Sequence, residues 1–386
     1  MRRAQSKVPT RRLQAEVQRD LAALLAWKDH GRRVTAGLLL QLLSLAAALR
    51  TSLSAAVRRW AGGISWETVR QALHAQLPPA DDLIDPLRAA LQRRLPRPLR
   101  RKRCTLAVDV HERCYYGDAR QTAGIRGGKR KAGTKWFWAY ATAVLVDAGQ
   151  RWTVGLTPVH KGEAMDVALT RLLGQVGRAG LRIRCLLLDR GFYSARVVAV
   201  LQERQVPFVM PVARRGKGEG GTQRFFRRRA RGRFRYTWES RDRKNGKPAG
   251  PTVTVDIACL PPPRGRKRPL VYAYGGKLGL PGELRPLYRR LRETYRRRFG
   301  IESSYRQLGQ GLALTTSRGE AYRLLLVGVA LLLRNVWVWW TGQVDAAWTL
   351  NRLLDELRLA LANCLQRPEA WPQLEGASAS AATIPI

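Results

Sequence analysis

Acid is what this chain is short of: 28 Asp and Glu stand against 70 Lys and Arg in 386 residues, a formal net charge of +42. Such a surplus repels itself in the compact state and serves no small neutral substrate, so it points to a polyanionic partner, nucleic acid first. Most of the excess is Arg, which suits bidentate phosphate binding and is equally what a codon bias would produce. Cysteine and histidine are scarce as well, five and four. Cys104, Cys114, Cys185, Cys259 and Cys364 are odd in number and widely spaced, with no CxxC and no Cys/His ligand pair. That argues against a disulfide framework or a zinc site and for a reducing cytosol. The chain up to Trp27 lacks the apolar stretch of a signal peptide. The longest apolar run, Leu324 to Leu333, is bracketed by Arg323 and Arg334. It falls far short of the roughly 20 residues that span a bilayer, so a buried core helix and no membrane partner are expected. There is no internal repeat. What is present, 45% hydrophobic and 25% charged residues, is an ordinary globular composition.

Residues 10 to 97 carry Leu, Ala and Val at three- and four-residue spacing throughout and read as a helical N-terminal domain. Within it, Thr51-Ser52-Leu53-Ser54 caps a helix to Trp60, Gly62-Gly63 turns the chain, and Ser65 caps a second helix carrying Trp66, Arg70 and His74. Helix, glycine turn, helix fits a DNA-reading pair and equally a merely packed one. Pro96 and Pro98 in the basic 93–103 segment mark a linker. From Leu106 the periodicity changes to strand-length runs at 106–110, 136–146, 152–159, 183–188 and 207–212, with helices at 165–178 and 194–205 between them. After Pro211 a glycine- and arginine-rich stretch precedes strand-like pieces at 234–239, 252–260 and 270–274, with Asn245-Gly246 as a tight turn between the first two. A long helix over 283–308, an apolar one over 322–340 and a last one near 346–365 follow, and the tail after Trp371 is small and polar, the composition of a disordered end.

Two carboxylates sit where apolar runs should exclude them. Asp109 lies inside Leu106-Ala107-Val108-Asp109-Val110, and Asp189 ends Cys185-Leu186-Leu187-Leu188-Asp189. A buried carboxylate requires a basic partner, hydrogen bonds or a metal ion, and a strand's C-terminal end opens into the crevice where α/β proteins hold ligands. Tyr295, Arg298, Glu302 and Arg306 are spaced by three, four and four, on one helical face. Three acids from two strands and a helix suit two divalent cations about 3.5–4 Å apart that clamp the oxygens of a phosphodiester, and Mg²⁺ prefers such oxygen ligands. Each position has a bland reading too: an Asp at a strand end is commonly a cap or ion-pair partner, and Glu302 between Arg298 and Arg306 fits an exposed ladder.

Three blocks together decide between these readings by resemblance: Asp109-Val110-His111-Glu112 with Tyr115-Tyr116-Gly117-Asp118; Leu188-Asp189-Arg190-Gly191-Phe192-Tyr193; and Tyr295 through Arg306. In order and spacing they resemble a DDE transposase of the IS4-like insertion-sequence group, nearest its ISH3-like branch, whose third block runs into a segment similar to Thr315-Thr316-Ser317-Arg318. The resemblance covers about 105–340. It implies an RNase H-like mixed α/β sheet with a β-rich insertion, preceded by the all-α domain, and it implies that Asp109, Asp189 and Glu302 are the catalytic, metal-binding triad for Mg²⁺, with Mn²⁺ as substitute. The group signature is Tyr, two residues, Arg, three residues, Glu, six residues, Lys; Tyr295, Arg298 and Glu302 match, and the Lys slot is Gly309, for which Arg306 or Arg318 is the candidate replacement. The implied partners are terminal inverted repeats, target DNA and a second protomer in a synaptic homodimer, in a bacterial or archaeal cytosol, at the nucleoid. Cut-and-paste movement through a hairpin intermediate is implied by the group alone. A nuclease without strand transfer and a non-catalytic, transposase-derived DNA-binding protein are the competing readings.

The expected domains are 1–97 (helical, DNA-binding or dimerising), 98–212 (first part of the catalytic core), 213–280 (basic β-rich insertion), 281–345 (second part of the core, with Glu302) and 346–386 (last helix and tail). Arg126, Lys129, Arg130, Lys131 and Lys135 read as a mobile basic loop that grips phosphate backbone. Trp238 is a candidate to stack on a flipped base, although a Trp more often packs in a core. His111 shares the Asp109 face and Glu112 the opposite one, and Asp118 has arginines nearby to pair with. Gly216 to Gly221 formally contains GxGxxG, but no amphipathic helix follows it, so it reads as a flexible basic loop. Trp337, Trp339 and Trp340 read as core or interface. Gly300 within a helix costs about 1 kcal/mol relative to Ala, which a close approach of backbone or DNA would explain.

Overall fold

The computed structural model describes residues 10–365 except 61–62, 148–150, 217–220, 228–229, 242–245, 263–268 and 345, and only the backbone of 238–241. Helices α1 (Thr10–Ala22), α2 (Ala36–Ala48), α3 (Leu53–Trp60), α4 (Trp66–His74), α5 (Ala80–Arg93) and α6 (Arg97–Arg101) come first. Strands β1 (Arg103–Tyr115), β2 (Ile125–Lys131), β3 (Thr134–Leu145) and β4 (Thr153–Pro158) follow, then α7 (Met165–Arg178), β5 (Arg182–Leu188), α8 (Ala195–Glu203) and β6 (Phe208–Pro211). The chain continues with β7 (Gly232–Arg241), β8 (Pro248–Leu260), β9 (Leu270–Gly275), α9 (Leu284–Arg296), α10 (Phe299–Leu308), α11 (Glu320–Gln343) and α12 (Leu350–Leu365). These elements form two compact units, one of residues up to Pro86 together with those from Leu308 on, the other Leu87–Gln307. The 281–345 segment of the sequence reading is thus divided at Gln307.

In the Leu87–Gln307 unit a mixed sheet runs β2-β3-β1-β5-β6-β9-β8-β7, with β4 also on β3. β1 pairs antiparallel with β3 and parallel with β5, and β5 pairs parallel with β6. This is the mixed α/β sheet expected from the strand runs. The β-rich insertion does not stand apart from it: β9 pairs antiparallel with β6, and β8 and β7 extend the same sheet. The turn reading at Asn245-Gly246 and most of the 216–221 loop lie outside the described residues, as does the tail beyond 365. Gly216 (φ 83°) and Gly221 are described, and a Cβ on Gly216 would come within 2.8 Å of the Gly221 Cα, so glycine is what lets these two backbones approach.

The free side of β4 is occupied by a side chain. Gln175 of α7 accepts the Leu156 N–H (2.9 Å) and donates to the Leu156 carbonyl (2.9 Å), as a neighbouring strand would. Gln92 in turn donates to the carbonyls of Val154 (2.7 Å) and Gln175 (2.9 Å). Gly155 makes room for this, since a Cβ there would lie 3.0 Å from Gln175 Oε1.

Two expectations change in this unit. The 124–135 segment is an ordered hairpin, β2 against β3. Ala132 (φ 43°) and Gly133 (φ 84°) both adopt positive φ between Lys131 and Thr134, as a two-residue type I′ turn requires. Gly127 and Gly128 lie against the rings of Trp136 and Phe137, where a Cβ would approach to 3.2 and 3.1 Å. The single helix expected over 283–308 is two, α9 and α10, with the break at Arg297-Arg298 marked by tight bonds from Arg297 N to Thr294 O and Arg298 N to Tyr295 O.

In the other unit, Ser65 caps α4 through the Thr68 N–H (3.1 Å), and Ser52 accepts the Ala55 N–H (3.1 Å) at the start of α3, both as read from sequence. α11 is long and apolar enough to cross a membrane by length and composition, but 83% of its most apolar window is buried within the protein. It is apolar on every side because it is a core helix. Trp340 is fully buried, and Trp337 donates its indole N–H to the Trp348 carbonyl (2.8 Å).

Candidate active site

Asp109 and Asp189 are brought together by the parallel pairing of β1 with β5, whose register sets Val108 opposite Leu188 and leaves the two aspartates just beyond. Strand burial carries Asp109 inward; Asp189 follows the last residue of β5, where the chain turns through a short 3₁₀ segment, Arg190–Phe192. The break between α9 and α10 then aims Arg298 at both. Its Nη2 lies 2.9 Å from Asp109 Oδ2 and 3.4 Å from Asp189 Oδ1, while Nη1 lies 2.8 Å from Glu302 Oε1. One guanidinium thus gathers the three carboxylates that the sequence singled out. Arg298 and Asp109 side chains are 10% and 15% exposed, whereas Asp189 and Glu302 are 45% and 47% exposed, so the cluster has a buried floor and an open rim.

The floor is electrostatically poised. Burial pushes the Asp109 carboxyl up to about 6 from an ordinary 3.8; Arg298 opposes the rise, and the Asp189 charge adds to it. Asp109 Oδ1 also accepts the Val110 N–H (2.9 Å). The linkage sign follows from a folded value above the unfolded one. Between about pH 4 and 6 the unfolded chain releases this proton while the folded chain keeps it, so stability from this group is present below the unfolded pKa and lost as pH rises through 6, by at most roughly 3 kcal/mol. Denaturation of metal-free protein across that range should show the loss, and Asp109→Asn should flatten it. An equal slope in the Asn variant would assign the loss to another group.

Around the carboxylates, α10 is latched to the sheet by Tyr305. Its half-buried hydroxyl donates to the Asp109 carbonyl (2.8 Å) and lies 2.8 Å from Thr142 Oγ1 on β3, the register partner of Asp109. His111, on the Asp109 face as alternation requires, stacks on Tyr305 at 4.8 Å; burial, with Arg113 and Lys131, lowers its pKa to about 4, so the ring is neutral there. Asp147, at the end of β3, holds Arg184 (2.7 Å) and Arg297 (3.2 Å), fixing the helix break from the other side. Gly300 is explained by protein contacts: a Cβ would meet Arg151 Nε at 3.0 Å and Val146 Cγ1 at 3.2 Å.

Other expected site residues have other contacts or belong to the other unit. Tyr295 donates its phenol to the Leu188 carbonyl (3.3 Å), immediately before Asp189, and stacks on Tyr272 (4.9 Å). Arg306 is exposed and, among the described residues, donates to Ser303 Oγ (3.4 Å). Gly309 and Arg318 belong to the other unit. Trp238 is on β7 opposite Val253, and its side chain lies outside the described residues. On the hairpin, Lys131 pairs with Glu112 (2.6 Å) and Lys135 lies over the Trp136 ring (5.2 Å). Arg126 points to Met165 Sδ (3.9 Å), Arg130 to the Gly133 carbonyl (3.4 Å), and Lys129 is exposed. Asp118 accepts the Arg120 backbone N–H (2.8 Å). Sequence reasoning did not identify the Tyr305 latch or the Asp147 anchor, because their partners are 163 and 150 residues away in the chain. The four-residue step from Arg298 to Glu302 was the one pairing of the central ion-pair cluster that spacing made legible.

Whether the carboxylates suit a divalent metal can be tested on the donors themselves. They are oxygen ligands only, which hard cations prefer. The buried one has a raised pKa, so the positive charge beside it undercompensates its burial. The buried Nε of Arg298 has no hydrogen-bond partner among the described residues, unlike a guanidinium built solely as a structural ion pair. Among the described residues no three His, Cys, Asp or Glu side chains are already grouped as a metal site: Arg298 stands between these three. The donor set fits a divalent cation once the guanidinium gives up part of its hold.

A family model described as "Transposase DDE domain" matches residues 100–335, the stretch that contains all three carboxylates. No curated protein matches the chain. Among solved structures the fold is similar to that of a piggyBac transposase synaptic complex with hairpin DNA, determined by cryo-EM, with a TM-score of 0.56 and 10% identity over 98% of this chain and 84% of that one.

Proposed function

Because the chain belongs to the transposase DDE domain family, a family of metal-dependent polynucleotidyl transferases, we propose that Asp109, Asp189 and Glu302 form its catalytic centre and that it is an insertion-sequence transposase of the IS4-like group. The observation that carries the reading is the convergence of three carboxylates, from the middle of one strand, the end of another and a helix, on the single guanidinium of Arg298. Asp109, Asp189 and Glu302 would hold the metal, Mg²⁺ by preference with Mn²⁺ as a substitute; the chemistry a divalent cation supplies is charge stabilisation of the attacking and leaving oxygens of a phosphodiester. Arg298 keeps the carboxylates together before that and is placed to turn to a DNA phosphate as they are released. Tyr305 and Asp147 hold α10 and the helix break so that Glu302 and Arg298 keep their aim. The partners are terminal inverted repeats and target DNA, joined by two protomers in the cytosol. The piggyBac complex, itself a synaptic complex with hairpin DNA, supports that partner class by analogy of fold.

By motif the chain resembles the ISH3-like branch, and the missing Lys at Gly309 leaves Arg306 and Arg318 as candidate replacements. Exposed arginines of α9, namely Arg285, Arg289 and Arg296, lie on the side away from its buried Leu287 and Leu291. With six to ten phosphate contacts, affinity for DNA should fall about 10³- to 10⁵-fold between roughly 50 and 200 mM salt. The decisive assay incubates the protein and Mg²⁺ with a plasmid carrying the element's own ends. Released 3′-OH ends joined to target DNA are the expected product. Cleavage without joining would favour a nuclease, and binding without nicking would favour a non-catalytic DNA-binding protein.

A further inference from the structure

The unit built from the two ends of the chain holds a cleft that the catalytic reading does not use. Trp66, Arg70 and His74 recur at four-residue steps on α4 and share one face, and that face lines a cavity of about 370 Å³. The facing wall is the segment ahead of α11, which contributes Thr315, Thr316 and Ser317. This wall is braced. Leu314 bridges to Ser52 and donates its N–H to the Thr51 carbonyl (3.0 Å), and Arg323 donates to the carbonyls of Ser317 (2.5 Å) and Thr315 (3.2 Å). On the α4 side, His74 packs on Tyr322 with ring centroids 5.9 Å apart.

Aromatic rings, hydroxyls, a guanidinium and no carboxylate in the lining match the chemistry of one nucleotide: rings for the base or sugar, donors for the phosphate. The guanidinium is already held, because Glu67, one turn earlier and outside the lining, takes Arg70 Nε and Nη2 in a bidentate pair. Both side chains are largely exposed, so the pair can exchange its carboxylate for a phosphate at little cost.

We propose that the cleft between the Trp66–Arg70–His74 face of α4 and residues 314–317 binds one nucleotide of a DNA strand, with Arg70 exchanging Glu67 for the phosphate. This rests on the DNA-binding reading above and gives the helix pair a specific contact. A phosphate-bearing nucleotide could arrive in a strand or free, and the strand is favoured by the +42 charge of the chain.

The test is affinity for a fluorescent duplex carrying the element's ends, measured for Arg70→Gln and Glu67→Gln and, as a control for bulk charge, for Arg358→Gln and Asp355→Asn at the exposed pair on α12. Arg70→Gln should weaken binding several-fold and reduce the slope of log K against log salt by about 1; Glu67→Gln should tighten it several-fold, while the control pair changes it less than about twofold. Strands bearing a photoreactive pyrimidine should cross-link to peptides containing 66–74 or 314–319. Control variants that shift binding as far, or unchanged affinity in the Arg70 variant, would overturn the proposal. So would deoxyadenosine monophosphate binding to the cleft with duplex affinity the same in all variants, which would assign the site to free nucleotide. A wild type that binds no DNA overturns the DNA-binding reading and this one together; a wild type that binds, with Arg70 and Glu67 variants unaltered, overturns this one alone.

Discussion

Asp189→Ala should abolish end cleavage, by at least about 10³-fold, and leave binding to the same DNA within about twofold. The asymmetry comes from where Asp189 sits. Its side chain is nearly half exposed at the rim and touches Arg298 at 3.4 Å. Losing it removes a ligand oxygen and one negative charge, and neither loss weakens attraction to phosphate. A purely structural aspartate would instead cost folding and binding together. Gel shift and nicking of one labelled end fragment, run side by side, separate the two outcomes, with Asp189→Asn as the isosteric companion.

Arg298→Met should have the largest effect on stability. It leaves Asp109 buried beside two other carboxylates with no cation between them, and breaking a buried pair this way costs about 3–5 kcal/mol. Because Asp189 and Glu302 are partly solvated, the lower end of that range applies. The loss should shrink as pH falls from about 8 toward 5: without the guanidinium the carboxyl pKa of Asp109 rises further above its present value of about 6, so protonation relieves the repulsion sooner. Millimolar Mg²⁺ should restore more stability to the variant than it adds to the wild type, since it replaces a missing charge. Urea titrations with and without Mg²⁺ measure this. A variant as stable as wild type at every pH would mean that the three contacts of Arg298 carry no weight.

Much of this site was legible because burial and charge conflict locally. An Asp inside Leu106–Val110 and another closing Cys185–Leu188 violate the apolar pattern on either side, and such violations mark function. The α7 limits and the Ser65 cap were readable for the same reason, since their signals lie within a few residues. What escaped depends on distant partners. No proline marks a helix break at Arg297, and Gly300 is the sole local signal; the break is held by Asp147 on one side and the three carboxylates on the other. The 125–135 hairpin was concealed because its turn uses Ala132, not Asn or Asp, at positive φ, and because charged residues mask a strand whose glycines pack on rings. The apolar run of α11 declared burial without naming its neighbours, so its grouping with the N-terminal helices was not visible. Strand patterns within 213–280 were correct as local structure, but period-two alternation carries no information about which edge a strand joins.

The central claim, that Asp109, Asp189 and Glu302 are one metal centre, is tested most directly by calorimetric titration of Mn²⁺ or Mg²⁺ into the wild type and into the Asp109→Asn, Asp189→Asn, Glu302→Gln triple variant. Neutral isosteres keep the volume and remove the charge, so the wild type should bind with a saturable signal that the triple variant lacks. Equal binding by the triple variant, with its fold confirmed by circular dichroism, would place the metal elsewhere and contradict the account.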